Sequence, residues 1–307
     1  MSEIIFKAIN LSKRYKTLMA LNNVSMEVRR GEIYGFIGEN GAGKTTLIRI
    51  LSGMVHQTGG EIELFGVHGE GLLPKQRGRI GGIVETPALF PDMTAYENLE
   101  ICRLQRGIPG KACIGDVLKT VGLTGTGKKK AKHFSLGMKQ RLGLAMALLG
   151  DPEFLILDEP INGLDPIGIV EFREMMKTLK RERGITILIS SHILSEVYQL
   201  ATCYGFIHNG KMLEQISMRE LNDKCGKHLL IKTDDASRAV VILETKLHAS
   251  HFDVLPGNAI RLYDFLENSG DVSRQLFSEG VTVEEISLQG DDLEQYYMRL
   301  IGGNANA

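Results

Sequence analysis

Residues 38–46, "GENGAGKTT", constrain this chain more than any other stretch. They fit G-x-x-x-x-G-K-[ST] at Gly38, Gly43, Lys44 and Thr45, between the apolar strand pattern "EIYGFIG" and the helical pattern "KTTLIRILSGM". In such a loop the successive backbone N–H groups of Glu39, Asn40, Gly41, Ala42 and Thr46, with the helix N-terminus, wrap phosphate oxygens. Lys44 reaches the β- and γ-phosphates, and the Thr45 hydroxyl ligates Mg²⁺. Glycine is required because a side chain would block the approach of the backbone to the phosphates.

A second constraint comes from "FLILDEP". Its apolar residues bury a strand, and Asp158 emerges at the C-terminal end, where open α/β sheets bind ligands. Asp158 is placed to hold Mg²⁺ through water, and Glu159 to polarise an attacking water as general base. "ITILISSH" is a further apolar strand ending in a polar group, His192, suited to contact the γ-phosphate or to hold the water and Glu159 in register. Glu85 closes the shorter apolar run "IGGIV" before a turn through Pro87 and Pro91. Ser135, opening the amphipathic pattern "SLGMKQRLGLAMALLG", reads on its own as an N-cap.

Apolar strands alternating with helical patterns predict an α/β core with a parallel sheet. Ahead of it, "IIFKAINLSKRY" and "LNNVSMEV" predict a small antiparallel sheet, and "YGFIHNGKMLEQ" a hairpin turning at Asn209-Gly210. Beyond residue 222 the texture changes to a βαββαβ pattern with a final helix. This predicts a nucleotide-binding domain over 1–222 and a ferredoxin-like accessory domain over 223–307.

Composition narrows the partners. Lys and Arg number 36 against 37 Asp and Glu, without the basic excess that neutralises a nucleic-acid backbone. The apolar runs fall short of the ~20 residues that cross a bilayer, and the N-terminal residues lack the regions of a signal peptide, so a cytosolic chain is expected. Cys102, Cys113, Cys203 and Cys225 are widely spaced, arguing for buried thiols over a zinc site or disulfide framework.

The ordered set of phosphate loop, S-x-G at a helix start, "LILDEP", "GLD" and a strand-end histidine resembles the nucleotide-binding subunits of ATP-binding cassette (ABC) transporters over residues 3 to 220. The resemblance implies a P-loop ATPase with a helical subdomain that uses ATP and Mg²⁺ and forms a head-to-tail homodimer. It implies a separate transmembrane permease and a place on the cytoplasmic face of the membrane. By this likeness Ser135 and Gly137 bind the γ-phosphate in trans, and Gly163, Leu164 and Asp165 form a loop between the two sites. Tyr15 stacks on adenine. Two departures stand out: "FSLGM" replaces the usual LSGGQ, and Glu85 replaces the glutamine whose oxygen approaches Mg²⁺. Glu85 with "TPALFPDMTAYENL" is similar to the subgroup handling peptide antibiotics of the bacitracin and lantibiotic kind. Another drug, lipid or ion substrate is the alternative. Soluble cassettes of translation or DNA repair fit less well, since 91 residues without heptads separate Lys44 from Ser135 and one cassette is present.

Overall fold

A computed structural model describes residues 3–290 and 293–304. Along the chain run β1 (Ile4–Tyr15), β2 (Leu18–Arg29), β3 (Ile33–Ile37), α1 (Lys44–Leu51), β4 (Gly59–Leu64), β5 (Val67–His68), α2 (Leu73–Arg77) and β6 (Ile80–Ile83). Next come α3 (Ala95–Gln105), α4 (Ala112–Thr120), α5 (Leu136–Leu148), β7 (Phe154–Asp158), α6 (Pro166–Arg183), β8 (Thr186–Ser191), α7 (Leu194–Tyr198), β9 (Cys203–His208) and β10 (Lys211–Ser217). The chain then divides between Ser217 and Met218 into two compact units.

In the first unit a six-stranded sheet has the order β10-β9-β3-β8-β7-β6. All its pairings are parallel except β9 with β10, which close on the Asn209-Gly210 turn. Every residue of β3, β7 and β8 is buried, which explains why their sequences run apolar without alternation: both faces of the sheet are covered. β2-β1-β4-β5 form a separate antiparallel sheet, to which the unanticipated β4 contributes Ile62 and Leu64 as core residues. The helical segment α3 starts on a reciprocal capping box between Thr94 and Glu97, and α5 starts on Ser135.

The bottom of the core sheet is clamped electrostatically. Glu153, just ahead of β7, receives Arg79 Nε at 2.6 Å and Nη2 at 2.9 Å, and Arg30 Nη1 at 3.0 Å. The Arg79 hydrogen bonds, strongest among several influences, pull the Glu153 carboxyl below its ordinary range, against partial burial. This ties the starts of β3, β6 and β7 together at the end opposite the loops that carry chemistry.

The second unit contains α8 (Met218–Lys224), β11 (His228–Thr233), α9 (Ala236–Thr245), β12 (Phe252–Leu255), β13 (Ala259–Leu262), α10 (Ser269–Ser278), β14 (Val283–Gln289) and α11 (Leu293–Asn304). Its sheet has the order β12-β13-β11-β14 with every neighbour antiparallel, the ferredoxin-like arrangement of a βαββαβ chain. Leu229, Ile231, Ile260 and Leu262 of the sheet pack with Leu243, Val272 and Leu276 of the helices in a core of its own. Cys102, Cys203 and Cys225 are buried as expected, while Cys113 is only half-buried. Among the described residues no helix is long and apolar enough to cross a membrane.

Candidate nucleotide site

The loop joining β3 to α1 is shaped by contacts that exclude side chains. A Cβ on Gly38 would lie 2.4 Å from the Ile207 carbonyl oxygen, and one on Gly43, at φ 111°, 2.6 Å from that of Ala20. The loop is pinned at both ends, with the Gly38 N–H donating to Ser191 O at 3.3 Å and the Gly210 N–H to Ala42 O at 3.0 Å. Lys44, the first residue of α1, is 5 % exposed and folds back over this loop. Its ammonium donates to Gly38 O at 2.6 Å and Glu39 O at 3.1 Å, and faces Glu159 Oε1 at 3.2 Å. With no acid in the first turn of α1, the positive end of its dipole opens unopposed toward the loop.

Around this loop lies an open cleft of about 530 Å³ lined by Tyr15, Leu18, Asn40, Gly41, Gly43, Lys44, Thr45, Thr46, Glu159 and the Asn209-Gly210 turn. Tyr15 stands at the tip of the β1–β2 hairpin, its ring partly exposed and 4.9 Å from the Lys13 ammonium. Glu159 follows β7 with a left-handed backbone, φ 49°, which turns its side chain back toward Lys44 and His192. His192 Nδ1 lies 2.7 Å from Glu159 Oε2. A carboxylate offers only lone pairs, so the proton of that bond sits on Nδ1.

Ser135 and Gly137 lie elsewhere. Ser135 accepts the Met138 N–H at 3.3 Å as N-cap of α5, and Asp165 accepts the Gly168 N–H at 2.9 Å as N-cap of α6. These residues, with Gly163 and Leu164, line a second cleft of about 540 Å³. Among the described residues none lines both clefts. One chain thus gathers Lys44, Thr45, Glu159 and His192 in one place, and Ser135, Gly137 and Asp165 in another.

Glu85 lies outside both clefts. It sits at φ 62°, past the end of β6, and its carboxylate is paired with the Arg49 guanidinium, one turn along α1 from Thr45. Its loop then packs on α5, because Pro87 occupies the space a side chain on Gly143 would need. Sequence reasoning missed Arg49 as its partner. It also missed Ser190, whose hydroxyl meets both Asp158 and the Glu159 backbone; the only hint was a pair of serines ending an apolar strand.

The residues present fit a nucleoside polyphosphate: a nearly buried ammonium, a loop of N–H groups with no room for a side chain at Gly38 or Gly43, and the carboxylate of Glu159 facing that ammonium. Comparison with known proteins agrees. Residues 21–162 match the family model described as ABC transporter. A bacitracin transport ATP-binding protein of Bacillus licheniformis is 45% identical over 97% of this chain and 98% of its own length. A lantibiotic transport ATP-binding protein of Streptococcus pyogenes is 46% identical over 68% of this chain and 89% of its own. A solved subunit of an ABC transporter complex from Clostridium perfringens superposes with a TM-score of 0.66 at 27% identity, covering 72% of this chain and 92% of that one. A likeness running nearly end to end, over a phosphate loop built for ATP, makes this chain an ATPase of the ABC transporter ATP-binding subunit family.

Proposed function

We propose that the chain powers the movement of a peptide antibiotic of the bacitracin or lantibiotic kind through a separate membrane permease, working at the cytoplasmic face as a head-to-tail dimer. The observation that carries the substrate is the 45% identity, over almost the whole of both chains, to a bacitracin transport ATP-binding protein.

In this reading Tyr15 stacks on adenine, and the loop from Gly38 to Thr46 surrounds the phosphates, with the N–H groups of Glu39, Asn40, Gly41, Gly43 and Thr46 facing them and those of Gly38 and Ala42 bracing the loop on Ser191 O and Glu39 O. Thr45 and Asp158 would hold Mg²⁺, Asp158 through water. When bound, the ion offsets phosphate charge. Lys44 places its ammonium against the β- and γ-phosphates. Glu159 takes a proton from the attacking water, and His192 holds that carboxylate in position through Nδ1. As the likeness to the family implies, Ser135, Gly137 and Asp165 complete the site of a partner copy, and their separation from the first cleft supports this. Glu85 is held by Arg49 on a loop packed on α5, which suits it to coupling more than to permanent ligation of Mg²⁺.

The reading is tested by expressing the chain with its co-purifying membrane protein in sensitive cells. Loss of bacitracin or lantibiotic potency, abolished by Lys44→Ala, supports it; unchanged potency of every peptide antibiotic tried rejects the substrate.

A further inference from the structure

Asp158 ends β7, and Ser190 stands opposite it in β8, in the parallel register that pairs Phe154 with Thr186 and Asp158 with Ser190. Both are buried, Asp158 at 2 % and Ser190 at 0 % exposure. The Ser190 hydroxyl donates to Asp158 Oδ1 at 2.5 Å and accepts the Glu159 N–H at 3.0 Å. A hydroxyl carries one proton and two lone pairs. With the proton committed to Oδ1, a lone pair takes the N–H, and one side chain fixes two neighbouring groups. It sets the rotation of the Asp158 carboxylate, a soft torsion when left alone. It also shares the Glu159 N–H with the Ser190 backbone carbonyl, 3.2 Å away, so side chain and main chain of Ser190 together hold the peptide leading into the left-handed residue Glu159.

We propose that Ser190 is a positioning residue that aims Asp158 at the divalent cation and steadies the backbone of Glu159. This rests on the reading of Asp158 as the cation's carboxylate and adds what orients it. Because the hydroxyl donates to Oδ1, Oδ2 remains for the metal or its water. Outer partners of this kind govern metal affinity: their removal typically weakens it about 10- to 100-fold. The Ser190 hydroxyl is buried, lies outside the cleft lining and is spent on Asp158 and the Glu159 N–H, so its effect passes through those two residues.

The test uses the full chain with a non-hydrolysable ATP analogue and Mn²⁺, following free and bound Mn²⁺ by electron paramagnetic resonance. Ser190→Ala is expected to weaken Mn²⁺ binding about 10- to 100-fold and to alter the bound spectrum, while Ser190→Thr, which keeps the hydroxyl, restores both. Analogue affinity in EDTA should match the parent in each variant. The proposal is overturned if Ser190→Ala binds Mn²⁺ as the parent does, if Ser190→Thr is as impaired as Ser190→Ala, or if affinity in EDTA falls equally. Asp158→Asn separates the two readings. Unchanged Mn²⁺ affinity there removes Asp158 as a ligand, whereas weakened affinity with a normal Ser190→Ala removes only the role of Ser190.

Discussion

His192 Nδ1 meets Glu159 Oε2 at 2.7 Å, while the other oxygen of the same carboxylate faces Lys44 Nζ at 3.2 Å. The proposed general base is therefore fixed from both sides, by one group after β8 and one at the start of α1. Glu159→Gln keeps the size of the side chain and removes its basicity. Turnover should fall about 10²- to 10⁴-fold, ATP binding should persist, and a dimer should accumulate with ATP. Size-exclusion chromatography with and without ATP, alongside phosphate release, checks this; turnover near the parent rate would remove Glu159 as the base.

The Arg49–Glu85 pair is a different matter, since both side chains are substantially exposed, at 39% and 59%. Exposed pairs contribute about 0–1 kcal/mol. Glu85→Gln should leave the melting temperature and the ATPase rate of the isolated subunit close to the parent, and should reduce transport by the assembled transporter more than hydrolysis. Equal loss of both would contradict a coupling role.

Gly38→Ala and Gly41→Ala should separate steric from conformational demands. At Gly38 the new methyl meets the Ile207 carbonyl at 2.4 Å, whereas at Gly41 it meets nothing within 4 Å but sits at φ 82°. Gly38→Ala should displace the loop and weaken ATP binding at least tenfold, about 1.4 kcal/mol. Gly41→Ala should carry the milder penalty of a left-handed alanine, about 1 kcal/mol. Titration with a fluorescent ATP analogue ranks the two; the reverse order would refute this account.

At the opposite end of the sheet, the lowered pKa of Glu153 has a defined pH signature. A carboxyl depressed by folding contributes stability above its unfolded value of ~4.3, and that contribution is lost as pH falls through the folded value. Glu153→Gln should destabilise the parent fold by up to ~1 kcal/mol at pH 7, since these side chains are over a third exposed and screened. The difference between parent and variant should shrink as pH drops below about 4. Urea melts at both pH values measure it; a difference that widened in acid would contradict the ion-pair explanation.

The phosphate loop, Asp158, Glu159 and His192 were legible because each marks the end of a continuous apolar strand, and in a parallel sheet such ends converge on one edge. The βαββαβ order of the second unit was legible for a similar reason, its alternation being local. Arg49 was not, because the partner of Glu85 lies 36 positions away and is chosen by how β6 approaches α1. Ser190 escaped because only the inter-strand register sets its hydroxyl beside Asp158. β4 was hidden by Gly59-Gly60 and alternating glutamates, a pattern that acquires its meaning when β1 lies alongside.

The two clefts share no lining residue, and this has a numerical consequence for mixed populations. If a complete site draws on two copies, a chain with a broken phosphate loop spoils its own half while its second cleft still serves an intact neighbour. Mixing intact and defective chains would then sort assemblies binomially. Where both sites must fire, activity would fall as the square of the intact fraction, and a defective copy would act dominantly in a cell that also makes the intact one.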